Sequence, residues 1–146
     1  APHGGAPDNP FGMENQKLSG DSQAARRLVG CLLGPVMGVI AAYGGTTMLA
    51  RAWNDCEIGI NASANFWSLI PIFFAVWVVV ALIWAIAFGV LAGRGLLLAS
   101  AVAVLATLCA YWVLMASLNA PADYPVSVSA CAPDNAPPWW PDWLPV

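Results

Sequence analysis

Residues Asn65–Gly93 read NFWSLIPIFFAVWVVVALIWAIAFGVLAG, without a single charged side chain. That run exceeds the roughly 20 residues needed to cross a hydrocarbon core of about 30 Å. Two more charge-free runs flank it, Leu28–Ala50 and Gly95–Ala122. Buried core helices of a globular protein would read the same way locally, but the rest of the chain cannot cover them. Of 146 residues, 60% are hydrophobic and only 9% charged, against about a quarter charged in soluble domains. The expected fold is an all-α integral membrane protein with transmembrane helices over Leu28–Trp53, Trp67–Ala92 and Gly95–Asn119.

Lysine and arginine near the ends of spans set orientation, because they resist translocation while acids count for little. Lys17, Arg26 and Arg27 precede the first span, and Arg94 lies between the second and third; only Arg51 lies on the other side, beside Asp55 and Glu57. This places the N-terminus and an extended polar tail (residues 1–27) in the cytoplasm, with an inner turn at Gly93–Gly95. The loop Asn54–Phe66 and a Pro/Trp-rich tail, Ala120–Val146, fall outside. Three short patterns near the first span mimic processing signals: LVGC at Leu28–Cys31, RRLVG, and ARA at Ala50–Ala52. A lipid-modified cysteine belongs at the end of an apolar run rather than its start, so the segment reads as an anchor.

Residues 1–27 are rich in Gly, Pro and polar side chains and lack a core, so they are expected to become ordered only against another surface, a partner protein first of all or the chain's own helices. NAS at Asn61–Ser63 matches a glycosylation acceptor and is common by chance. APDN occurs at Ala6–Asn9 and Ala132–Asn135; Ala and Pro are frequent enough here to make that coincidence.

Small residues recur every fourth position along the helices. The first span carries Gly30, Gly34, Gly38 and Ala42; the second Ala81, Ala85, Gly89 and Gly93; the third a weaker row, Ala99, Ala103 and Thr107. In lipid the hydrophobic effect does not drive helices together, so association rests on the close approach such rows permit. Ordinary helix packing explains them, within the chain or against a partner. Phe73, Phe74, Trp77, Trp84, Phe88, Tyr111 and Trp112 fill other faces, where lipid, a neighbouring helix or a nearby quinone would meet them. Pro35 and Pro71 sit near span ends, where a missing N–H costs least.

Cys31 and Cys109 fall within spans at different depths and behave as small apolar residues. Cys56 and Cys131 share the outer side, which is oxidising beyond a bacterial inner membrane, so they are expected to form a disulfide. Chain entropy gives on the order of 4 kcal/mol for such a closure, an upper limit for helices already inserted. Beyond Cys131 the prolines favour a stiff, extended path. Trp139, Trp140 and Trp143 are its expected anchors, either at headgroup level or in a partner's pockets.

The sequence shows no catalytic constellation. His3 is the only histidine, no Asp, Glu, Lys or Arg lies deep in a span, and CxxC and phosphate-loop motifs are absent. A metal or other cofactor is therefore not expected, and a net charge of −3 argues against nucleic acid. The Ala- and Val-rich spans and the ending PPWWPDWLP, Pro137–Pro145, resemble small membrane proteins of high-GC bacteria. The expectation is a non-catalytic accessory subunit of a bacterial inner-membrane complex, respiratory or transport, with other membrane subunits and lipids as partners. A self-assembling glycine-zipper pore and a membrane-bound immunity or chaperone-like protein are the alternatives.

Overall fold

The computed structural model describes residues 10–59, 62–91, 93–120, 130–131 and 133–145. They form three helices, α1 (Pro10–Asp55), α2 (Ala62–Leu91) and α3 (Leu96–Ser117), with no strand among the described residues. Leu28–Asp55, Ser63–Leu91 and Leu96–Ser117 are each long and apolar enough to cross a membrane. Helices suit that medium because they satisfy their backbone polar groups internally. His3, Asn61 and the first APDN copy lie outside the described residues.

The extended tail expected over residues 1–27 is instead helical from Pro10, which makes α1 46 residues long, about 69 Å at 1.5 Å per residue. Starting a helix is costly, whereas extending one adds a hydrogen bond for each residue fixed. The apolar half of α1 nucleates the helix, and the polar half prolongs it back to Pro10, whose fixed φ suits a first helical position. The arm before Leu28 adds about 27 Å.

At its other end α1 stops in a Schellman motif. Glu57 takes a left-handed φ of 53°, its N–H donates to the Asn54 carbonyl at 3.2 Å, and the Ile58 N–H donates to the Trp53 carbonyl at 2.8 Å. The accompanying apolar contact is made by buried Ile58 and Trp53. Cys56 is thereby held at the helix end. Gly59 follows at φ 105°, and a Cβ there would overlap the Asn65 amide, which donates to the Ile58 carbonyl at 2.9 Å.

The helices α2 and α3 form an antiparallel hairpin, with Gly95 at φ 139° opening α3. The first helix packs chiefly on α2, and α3 touches α2 more than α1. One buried cluster centres on Val80, Trp84, Phe88, Ala99 and Ala103. A second, at the end where the disulfide lies, centres on Leu49, Trp53, Cys56, Ile58 and Met115.

Candidate functional site

The small-residue row of α1 lies against α2. A Cβ at Gly30 would overlap Phe88; at Gly34 it would stand 2.9 Å from the Ala81 carbonyl oxygen, and at Gly38 2.8 Å from the Trp77 carbonyl oxygen. Ala42 is buried. Contact partners descend along α2 as residue numbers rise along α1, so the two helices run antiparallel. Trp77 adds a hydrogen bond from its indole Nε1 to the Pro35 carbonyl at 3.0 Å.

The row on α2 divides. Ala81 faces Gly34, Ala85 is half-buried, and Gly93 is exposed in the turn. A Cβ at Gly89 would meet nothing within 4 Å, and exposed Ile86 and Val90 flank it. On α3, Ala99 and Ala103 are buried, and the Thr107 hydroxyl donates back to the Ala103 carbonyl at 2.8 Å.

Gly44 and Gly45, outside the four-residue row, receive Tyr111 of α3. A Cβ at Gly45 would be 3.1 Å from its ring and one at Gly44 3.1 Å from its hydroxyl oxygen. The phenol donates to the Ala41 carbonyl at 2.6 Å. A lone tyrosine in an apolar span is the sequence signal for this contact, since a phenol out of water requires an acceptor.

Cys56 and Cys131 form the expected disulfide, with Cα atoms 5.0 Å apart and a sequence separation of 75. The Ala130 N–H donates to the Cys56 carbonyl at 3.0 Å, and the Asn119 amide donates to the Asp134 carbonyl at 3.3 Å. Cys31 and Cys109 are free thiols on exposed helix faces.

Beyond Cys131 the tail does not extend as its prolines suggest. It folds through turns closed by Trp140 N–H to the Pro137 carbonyl at 2.8 Å and Leu144 N–H to the Pro141 carbonyl at 2.9 Å. Proline presets the φ of such turns as readily as that of an extended path. The indoles then tie the turns to one another and to the helices. Trp139 donates to Asp55 Oδ2 at 2.8 Å, Trp140 to the Leu144 carbonyl at 2.8 Å, and Trp112 of α3 to the Pro145 carbonyl at 3.0 Å. Trp53 donates to the Leu118 carbonyl at 3.0 Å. Trp140 packs on the cluster below, whereas Trp143 is 80% exposed. The tail is a cap bonded to its own bundle, and Trp143 is the indole it turns outward.

Arg51 and Asp55 form a surface ion pair at 3.7 Å. Among the described residues no cluster of His, Cys, Asp and Glu is placed to hold a metal ion. A crevice between α1 and α2 near the cap is apolar along most of its length; other concavities lie within the folded tail and between Trp84 and Tyr111. No family model, curated protein or solved structure matches this chain.

Proposed function

We propose that the chain is a non-catalytic accessory subunit of a larger bacterial inner-membrane complex, respiratory or transport, and that it docks its partners through surfaces its own fold leaves uncovered. The observation that carries this reading is the contrast between two small-residue rows. Gly30, Gly34 and Gly38 are filled by α2, whereas Gly89 opens onto empty space between Ile86 and Val90. Close helix approach is the main source of affinity in lipid, so the Gly89 face suits a neighbouring helix. It also favours a subunit over a glycine-zipper pore, which would need the α1 row that α2 already occupies.

The helical arm before Leu28 and exposed Trp143 supply further contacts at opposite ends of the bundle. Two independent features support a cytoplasmic arm and an extracytoplasmic cap: four of the five basic residues lie on the arm side, and the disulfide lies at the cap, where an oxidising compartment would preserve it. Mass spectrometry of what co-purifies in mild detergent from the native membrane tests the reading. Stoichiometric membrane subunits support it, and their loss in a Gly89→Leu chain that still inserts locates the contact. Recovery of a homo-oligomer alone overturns it.

A further inference from the structure

We infer that the crevice between α1 and α2 beside the cap is a phospholipid site selective for an amine-bearing headgroup, a feature independent of the subunit reading. Two cavities of about 450 Å³ each share Ala50, Phe66 and Leu69 as walls, so they form one continuous crevice. It runs along α1 from Tyr43 to Asn54, about 17 Å by helix rise, and on to Glu57 in the turn beyond the helix end.

Its deeper part is hydrocarbon in character. Tyr43, Thr46 and Thr47 face Ile70, Phe73 and Phe74 across it. Both threonine hydroxyls turn back onto their own helix, Thr46 to the Ala42 carbonyl at 2.7 Å and Thr47 to the Tyr43 carbonyl at 2.9 Å. Their polarity is thus spent, and an acyl chain is the apolar partner that the surrounding medium supplies.

The end beside the cap is polar. Asn54, Glu57 and Asn65 line it, and Asn65 is oriented by its bond to the Ile58 carbonyl. An apolar slot leading into a polar mouth is the layout of an amphiphile, whereas a packed transmembrane helix would put apolar side chains against the carboxylate of Glu57. Arg51, with its side chain 74% exposed, stands 3.7 Å from Asp55, too far for a hydrogen bond. By helix register it neighbours Thr47 and Asn54 at the flank of the crevice, outside the residues that line it.

Depth then selects the headgroup. Arg51 lies about 6 Å by helix rise inside the end of α1 at Asp55, and Glu57 lies beyond that end. A phospholipid places its phosphate deeper than its amine, so phosphate meets guanidinium and ammonium meets carboxylate. Among the described residues at this end, Arg51 is the one base against Asp55, Glu57, Asp134 and Asp142, a balance that disfavours headgroups carrying only negative charge.

Native mass spectrometry of the full chain in detergent, with equimolar phosphatidylethanolamine and phosphatidylglycerol of identical acyl chains, tests the inference. The expected result is preferential retention of phosphatidylethanolamine by on the order of threefold, the discrimination of one exposed charge pair. Glu57→Gln should bring the ratio near one, and Thr47→Phe, at an exposed position, should reduce retention of both lipids by filling the slot. Equal retention, a preference for phosphatidylglycerol, or a ratio unmoved by Glu57→Gln overturns it. So does a photo-crosslinker at position 70 that captures a polypeptide rather than lipid in the native membrane. Should Thr47→Phe not fold, Glu57→Gln, a surface change, decides alone.

Discussion

Tyr111 on α3 donates a 2.6 Å hydrogen bond to the backbone carbonyl of Ala41 on α1, and its ring lies over Gly44 and Gly45. It joins two helices that otherwise meet little. The bond lies in an apolar segment, so its donor has no water to fall back on.

Tyr111→Phe removes that bond while keeping the ring, so it should cost about 1 kcal/mol, the usual scale of an interhelical hydrogen bond in a membrane. Gly45→Leu should cost more, because it displaces the ring itself. Unfolding in mixed micelles followed by circular dichroism measures both. Equal stability of Tyr111→Phe and the parent would show that the contact is packing alone.

Gly34→Leu drives a side chain onto the Ala81 carbonyl, where even a Cβ would stand 2.9 Å away, and overpacking of this kind costs about 1–3 kcal/mol. Gly89→Leu meets open space, so the purified chain should tolerate it. The signature is a dissociation of effects: the first substitution lowers the stability of the isolated protein, the second only its association with partners. If both lower intrinsic stability alike, the Gly89 face is occupied within the chain.

Reducing the Cys56–Cys131 bond, or replacing both residues by serine, removes a constraint worth at most about 4 kcal/mol. The indole bonds of Trp139 and Trp112 remain, so the cap should loosen without leaving, and proteolysis at the tail should accelerate on reduction. Asp55→Ala in the serine background removes the Trp139 acceptor and should accelerate it again. A tail as resistant when reduced as when oxidised would mean that the indoles hold the cap unaided.

Gly59→Ala combines a left-handed φ of 105° with overlap on the Asn65 amide. It should destabilise the protein by about 1–3 kcal/mol, the cost of a strained backbone position. Asn65→Ala alone should be milder, since it gives up a hydrogen bond but creates no overlap. Thermal unfolding in detergent ranks the two, and the reverse order would place the strain elsewhere.

Composition and charge spacing alone determined three helices long and apolar enough to cross a membrane, and the disulfide. Desolvated backbone in lipid admits few solutions, and only Cys56 and Cys131 lie together outside the spans. The small-residue rows were equally visible, but which neighbour fills them was not. A helix presents the same ridge to its own chain and to a partner, and only the packing of α2 shows that Gly34 is filled and Gly89 is open. The arm was misread because local composition cannot register that a nucleated helix continues cheaply. The tail was misread because proline fixes φ but leaves ψ to choose between an extended path and a turn. That choice fell to contacts distant in sequence, Trp139 with Asp55 and Trp112 with Pro145, which exist only once the three helices have assembled.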